Sequence, residues 1–245
     1  MTPSVQKLIE SQWPLKLAQN LGRYDDLIFC PLDLPPPPDI DTTAFVDWML
    51  RVGSSSMAPK KVYEKLNGHE YPWVCAAPKG GSFLAMKEAF PQITDYLDHY
   101  PFDEIDHCVV LAQRGYQHVF THTDGDYLRG MRLYLKSKNK EGLHFFRGRE
   151  KYDAFDMYKT KPDGNVERIN WEESHHMDKP IYADFPDNCQ TFMVNSGRAC
   201  HAIDSNTCEL GDRIAILIRG TYNEQRFNDL IERSLAKYGD RAIWY

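Results

Sequence analysis

A succession of short segments rich in β-branched and aromatic residues occupies the chain from about residue 104 to residue 222. Glycine, proline, asparagine or aspartate separates the segments, which is typical of turns between strands. The segments are IDHCVVLAQ, QHVFTHT, GMRLYLKS, LHFFRG, AFDMYKT, VERINWE, QTFMVNS, RACHAID and DRIAILIRG. Many short strands in this arrangement favour a sandwich, a jelly roll or a barrel. The sequence therefore predicts a mainly β core over residues 104–222.

The sequence predicts helices on both sides of this core. After the core, NEQRFNDLIERSLAKYGD is amphipathic and would cover one sheet. Its apolar side is formed by Phe227, Leu230, Ile231 and Leu235. We expect one domain over residues 1–245, in which residues 1–103 form a helical and looped cover, residues 104–222 the β core and residues 223–245 a C-terminal helix.

Residues 1–103 carry signals for helices and loops. Thr42 and Thr43 are candidates to cap a helix through AFVDWMLRVG. A later helix is expected to begin near Ser82 and to be interrupted or ended by Pro91. The proline run PLDLPPPPDID predicts a stiff connector on the surface.

Charge and composition exclude several classes of function. The formal net charge is −6, which disfavours binding a phosphate backbone over a broad face. No stretch approaches the roughly 18 apolar residues of a membrane span. The six cysteines form no CxxC pair, which is typical of thiols in a reducing compartment, and the N-terminus lacks the pattern of a signal peptide. We expect a cytoplasmic protein that binds neither nucleic acid nor membrane, and its oligomeric state is not indicated.

The hexapeptide THTDGD places His122 and Asp124 one residue apart at the end of an apolar segment. On an extended strand, residues two apart point to the same face, so the imidazole and the carboxylate would converge. That geometry suits a metal ion, although a polar strand end produces the same pattern. Gly125 then predicts a turn, which is where loop-borne sites on rigid scaffolds lie.

Two other histidine patterns compete with this one. His118 and His122 have the spacing of a helical zinc motif, but QHVFTHT is rich in strand-forming residues, and residues four apart in a strand are about 13 Å apart. A second HxD pattern, His176 and Asp178, lies in the charged and proline-flanked EESHHMDKP, which we interpret as a surface loop. The comparison favours His122 and Asp124 as metal ligands.

A third ligand and an anion-binding residue are expected from VNSGRACHAIDSNTCELGDRIAILIRG. His201 lies in a short apolar segment, and Arg213 begins a run in which alternation places it on the face opposite Ile214. Two histidines and one carboxylate around Fe(II) leave three positions open, two for a bidentate 2-oxo acid and one for dioxygen. Arg213 is suited to bind the far carboxylate of such an acid.

At this point HTDGDYLRGMRLYL and VNSGRACHAIDSNTCELGDRIAILI together resemble the Fe(II)/2-oxoglutarate-dependent oxygenases. The resemblance is to the aspartyl/asparaginyl β-hydroxylase-like branch, which includes some proline hydroxylases, and it covers roughly residues 104 to 222. It implies a single oxygenase domain, mainly β with flanking helices, around a cupin-like jelly-roll core, the double-stranded β-helix. It also implies Fe(II) as the metal and 2-oxoglutarate and O2 as co-substrates.

The resemblance carries specific roles over to this sequence. The catalytic residues and metal ligands would be His122, Asp124 and His201. Arg213 would bind the distal carboxylate of 2-oxoglutarate, and Arg132 and Tyr134, on one face of the same segment, would help to hold the co-substrate. The implied reaction is hydroxylation of a C–H bond of a small molecule, such as an amino acid or a short peptide side chain, with decarboxylation of 2-oxoglutarate to succinate.

Two alternatives from other classes remain open. The same triad would also suit zinc and the activation of a water molecule for hydrolysis, which leaves Arg213 without a role. The β core would equally suit a cupin-like small-molecule binding protein without turnover. Uptake of Fe(II) together with 2-oxoglutarate distinguishes the oxygenase from both.

Overall fold

The computed structural model describes a protein that is mostly β sheet with a few helices. The described residues are 24–52, 73–76, 86–122, 129–138, 140–146, 158–160, 166–168 and 179–245. Among them no helix combines the length and the apolar character that a membrane crossing requires. The strand content of the described residues confirms the prediction of a mainly β protein.

The described residues form thirteen strands and three named helices. In chain order the strands are β1 (Leu27–Pro31), β2 (Trp73–Ala76), β3 (Phe102–Gln113), β4 (Gly115–His122), β5 (Arg129–Ser137), β6 (Leu143–Phe146), β7 (Tyr158–Thr160), β8 (Val166–Arg168), β9 (Ile181–Tyr182), β10 (Thr191–Asn195), β11 (Cys200–Cys208), β12 (Arg213–Tyr222) and β13 (Ile243–Trp244). The helices are α1 (Thr42–Val52), α2 (Pro91–Leu97) and α3 (Glu224–Tyr238).

These strands form two larger antiparallel sheets and one small one. The first sheet has seven strands in the order β13-β1-β10-β5-β12-β3-β2, and the second has four in the order β4-β11-β6-β9. Strands β7 and β8 pair separately. From β3 to β6, and again from β9 to β12, each successive strand lies in the other of the two larger sheets. Gly115, the first residue of β4, has a φ of 63°, a positive value that favours glycine where the chain turns from β3 into β4.

One face of the seven-stranded sheet packs against the helices. Alternation in β12 places Ile214, Ile216 and Ile218 on this face, as the sequence predicted, and all three are fully buried. These isoleucines belong to a hydrophobic cluster between the sheet and the helices. The predicted apolar side of α3 contributes Phe227, Leu230 and Ile231 to this cluster, and Leu235 packs against the cluster.

The other face of the seven-stranded sheet packs against the four-stranded sheet. This inter-sheet cluster contains Tyr134 and Phe192 from the seven-stranded sheet and Phe145 from the four-stranded one. The rings of Phe29 in β1 and Phe145 in β6 join the two sheets, with centroids 5.9 Å apart. The space between the sheets is therefore lined by aromatic and aliphatic side chains.

The described part of the N-terminal hundred residues contains two strands that the predicted helical and looped cover did not include. Their segment Leu27–Pro31 is a fully buried strand that pairs with β10 on one side and β13 on the other. Strand β2 extends the opposite edge of the same sheet. Five residues without alternation carry a weak strand signal, and burial on both faces explains why no polar residue interrupts LIFCP.

One predicted helix boundary requires correction, and another is confirmed. Asp41 caps α1, because its Oδ1 accepts hydrogen bonds from the backbone N–H groups of Thr43 and Ala44 at 2.9 and 3.0 Å. The helix that includes residues 86–89 ends before Pro91, as predicted, and Pro91 then begins α2, where a missing N–H costs nothing. The predicted helix start near Ser82 lies outside the described residues.

Candidate active site

The first two candidate ligands meet across a strand pair of the four-stranded sheet. The antiparallel register of β4 and β11 makes residues 122 and 201 Cα partners, so His122 and His201 occupy directly opposed positions. Opposed residues of an antiparallel pair share a face, with Cβ atoms about 4.5–5.5 Å apart. The side chain of His122 and the whole of Asp124 lie outside the described residues, so their roles stay predictions.

The side chain of His201 lies between the two larger sheets. It is opposed on its other side by Phe145 of β6, and the two ring centroids are 6.3 Å apart. Phe145 belongs to the inter-sheet cluster, and only 9% of His201 is exposed. An imidazole in this position is shielded from bulk water, which suits a metal ligand and suits a buried structural histidine equally well.

His144 marks the opposite face of the same sheet. It is the Cα partner of Ala202, one position from His201, and alternation therefore turns it away from the inter-sheet space. Its Nδ1 lies 3.0 Å from the carbonyl oxygen of Gly142 and 3.6 Å from Asp204 Oδ1. His144 is a buried histidine that the candidate site does not use.

Arg213 and Tyr134 form a buried pair on the facing sheet. Arg213 is 1% exposed and Tyr134 is 4% exposed. The guanidinium Nη2 donates a hydrogen bond to the Tyr134 hydroxyl at 3.0 Å, and its Cζ lies 5.5 Å from the centre of the ring. Guanidinium and hydroxyl are both suited to donate hydrogen bonds to a carboxylate.

Arg132 lies on the same face of β5 as Tyr134, as the sequence predicted. It is opposed by Phe192 of β10 and is 8% exposed. Its Nη1 donates to the carbonyl oxygen of Met131 at 3.4 Å. From the helix side, the buried Tyr100 hydroxyl donates to the backbone carbonyl of Arg132 at 3.1 Å. Burial raises the pKa of Tyr100 well above its usual range, which keeps this donor protonated.

One buried polar residue beside this pair was not predicted from the sequence. Gln113 ends β3 and is fully buried. Because Ala112 is the Cα partner of Ile214, Gln113 and Arg213 follow at neighbouring positions of the two strands. Alternation along IDHCVVLAQ, which puts Cys108, Val110 and Ala112 on the helix face, was the available signal.

The described residues contain no group of three or more histidine, cysteine, aspartate or glutamate side chains able to hold a metal ion. Asp124 and the ring of His122 are not among these residues. The structure therefore brings together the backbone positions of His122 and His201 and, separately, the side chains of Arg213 and Tyr134.

Comparisons with known proteins found likenesses among solved structures. No protein-family model matches the chain. No curated protein matches it either. A viral collagen prolyl hydroxylase from Paramecium bursaria Chlorella virus-1, in complex with 2OG, is 11% identical, with a TM-score of 0.36 over 82% of this chain and 99% of that one. A prolyl hydroxylase from Trichoplax adhaerens, in complex with a hypoxia inducible factor peptide, is 13% identical, with a TM-score of 0.34 over 92% and 95%.

A third solved structure is an oxidoreductase of the 2OG-Fe(II) oxygenase family from Burkholderia pseudomallei. It is 10% identical, with a TM-score of 0.33 over 76% of this chain and 95% of that one. Likenesses at this level of identity and TM-score establish neither the fold nor the activity of this chain. Placement in the aspartyl/asparaginyl β-hydroxylase-like branch stays a prediction.

Proposed function

We propose that this protein is a non-haem Fe(II)/2-oxoglutarate-dependent dioxygenase that hydroxylates a C–H bond of an amino acid, another small molecule or a short peptide side chain. The proposed metal ligands are His122, Asp124 and His201. The proposed co-substrate ligands are Arg213, Tyr134 and Arg132. In the reaction, 2-oxoglutarate is decarboxylated to succinate while one oxygen atom of O2 enters the substrate.

The observation that carries the proposal is the pairing of residues 122 and 201. The sequence selects these two histidines from nine, and they are far apart in the chain. The β4–β11 register makes them direct partners, at positions where side chains share a sheet face. A chance choice of two histidines rarely yields opposed positions on neighbouring strands. The arrangement supports one metal ion bound by both histidines.

The buried pair on the facing sheet supports an acidic co-substrate. Arg213 belongs to the seven-stranded sheet and His201 to the four-stranded one, and both side chains lie within the space between the sheets. Burying a guanidinium is costly, and a bidentate carboxylate is the group that offsets the cost best. In a zinc hydrolase this arginine would have no role. In an oxygenase it would bind the second carboxylate of the 2-oxo acid.

The strand orders support a double-stranded β-helix as the framework of the site. Eight strands of the core divide into β3-β12-β5-β10 of one sheet and β4-β11-β6-β9 of the other. Successive strands alternate between the sheets, so a jelly-roll winding accounts for both orders. In such a framework the end of β4 and the start of β11 lie side by side, and a substrate would approach the proposed ligands there.

The chain's own residues would bind the metal and the co-substrate, orient them and shield them from water. When bound, Fe(II) supplies the activation of O2 that couples decarboxylation of 2-oxoglutarate to oxidation of a C–H bond. Packing of Phe145 against His201 limits rotation of the imidazole. Arg213 and Tyr134 would fix the distal carboxylate, and the aromatic cluster around them would exclude water.

An anaerobic titration of the metal-free protein with Fe(II) and then 2-oxoglutarate tests the proposal. We expect the visible charge-transfer band of a metal-chelated 2-oxo acid in the wild type and its loss in His201→Ala. His144→Ala is the matched control, because it removes a buried histidine from the other face of the same sheet and should keep the band.

Two outcomes would contradict the proposal. Folded protein that takes up metal without developing the band would favour a zinc hydrolase or a binding protein without turnover. Loss of the band in His144→Ala but not in His201→Ala would remove His201 from the metal site. Once the band is established, candidate amino acids and short peptides are ranked by the succinate that they cause to form.

A further inference from the structure

We infer that Gln113 is a third ligand of the distal carboxylate of the co-substrate and makes the site select dicarboxylic over monocarboxylic 2-oxo acids. The inference rests on the proposed function, since it concerns the acid that the site would bind. It adds a residue from β3 to a pocket for which the sequence indicated only Arg213 of β12 and Tyr134 and Arg132 of β5.

The position of Gln113 follows from the register of three neighbouring strands. Strand β12 lies between β3 and β5, with Ile214 opposite Ala112 and Ala215 opposite Tyr134. Ile214 and Ala112 both pack against the helices, so the next residues along each strand, Arg213 and Gln113, face the opposite way. Gln113, Arg213 and Tyr134 thus share the inter-sheet face of three adjacent strands.

The burial of Gln113 requires a polar environment. Its exposed fraction is 0%, beside 1% for Arg213 and 4% for Tyr134. Burying an amide is costly unless its hydrogen-bonding groups are satisfied, and most glutamines are exposed. The amide, guanidinium and phenol, all buried on adjacent strands, form a polar group beside a cluster of aromatic and aliphatic side chains.

The chemistry of the three groups fits one carboxylate. A carboxylate has about four lone-pair sites, which a bidentate guanidinium, an amide N–H and a phenol O–H fill without competing. Glutamine also differs from glutamate in a way that matters here. A neutral amide leaves the positive charge of Arg213 for the ligand, whereas a carboxylate at residue 113 would form an internal ion pair and repel the incoming acid.

Two substitutions and two ligands test the inference. Gln113→Met keeps the length of the side chain and removes its polar groups, and Gln113→Glu keeps its shape and adds a negative charge. Affinities are measured anaerobically on Fe(II)-loaded protein for 2-oxoglutarate and for 2-oxobutyrate, which lacks the distal carboxylate. Gln225→Leu, on the exposed side of α3, is the control.

We expect Gln113→Met to weaken 2-oxoglutarate binding about tenfold, the effect of one hydrogen bond to a charged group, with 2-oxobutyrate binding unchanged. Gln113→Glu should weaken 2-oxoglutarate binding more than Gln113→Met does. A merely structural role would lower both affinities together or lower neither, and either result overturns the inference. Wild-type protein that binds no 2-oxoglutarate would overturn the proposed function itself. Wild-type binding that both variants retain would overturn only the role of Gln113.

Discussion

Arg213, the first residue of β12, donates a hydrogen bond of 3.0 Å from Nη2 to the hydroxyl of Tyr134 in β5. The Tyr134 ring is itself held by Phe192, with ring centroids 5.0 Å apart. The guanidinium is therefore fixed by a partner that is fixed in turn by the inter-sheet cluster. A cation held in this way loses little freedom when a carboxylate binds, which favours affinity.

Removal of the Tyr134 hydroxyl should weaken co-substrate binding. Tyr134→Phe keeps the ring and its contact with Phe192 but removes a donor to the distal carboxylate. We expect the dissociation constant for 2-oxoglutarate to rise about tenfold, since a hydrogen bond to a charged group contributes roughly 1.5 kcal/mol. Calorimetric titration of Fe(II)-loaded protein measures the change. Tyr182→Phe, half exposed on β9, should bind as the wild type does. Equal affinities in all three proteins would remove Tyr134 from the co-substrate site.

The two HxD patterns of the sequence make opposite predictions for metal binding. His122→Ala should abolish stoichiometric Fe(II) uptake, because it removes one of two opposed histidines on β4 and β11. His176→Ala should leave uptake intact. Equilibrium dialysis followed by iron analysis measures the stoichiometry of each variant. Loss of iron in His176→Ala alone would transfer the metal site to the second pattern.

Much of the β core could be predicted because its strands alternate strongly. In β12 the isoleucines are buried on one face and Arg213 on the other, which is the pattern that period-two reading detects. Strand β1 was not predicted because LIFCP is apolar throughout and shows no alternation. A short apolar run is compatible with a strand, a helix or a buried loop. Only its pairing with β10 and β13 identifies it.

The residue types of the candidate site could be predicted from the sequence, but the pairing and register of the strands that carry them could not. The sequence selects His201, yet nothing in it fixes which strand β11 pairs with or in what register. The β4–β11 pairing contains register shifts on both sides of Ile203, and each shift changes which residues share a face. Gln113 was overlooked for a related reason, since its closeness to Arg213 depends on the β3–β12 register.

The cap of α1 offers a test of local stability. Asp41→Ala should lower the free energy of unfolding by about 1 kcal/mol, because the backbone N–H groups of Thr43 and Ala44 lose their acceptor. Thr43→Ala, the change suggested by the sequence-based cap, should have a smaller effect. Urea unfolding followed by circular dichroism compares the two variants with the wild type. A larger loss in Thr43→Ala would return the cap to the threonine.

Buried thiols should make the protein lose stability at alkaline pH. Burial raises the pKa of Cys30 from 9.0 to about 12, and burial does the same for Cys108. The unfolded chain then releases protons before the folded one, so the stabilising contribution is fully present below pH 9 and is lost as the pH rises towards 12. Between pH 8 and pH 10, the free energy of unfolding should fall by about 1 kcal/mol more in the wild type than in Cys30→Ser.

Serine keeps nearly the same volume and does not ionise in this range, so the difference between the two proteins isolates the thiol. Urea unfolding at several pH values measures it, and Cys30→Ala provides a second non-ionising variant. Parallel pH dependence in the wild type and both variants would show that Cys30 ionises equally in the folded and unfolded chains. The buried position of the thiol in the cluster between the seven-stranded sheet and the helices argues for the opposite result.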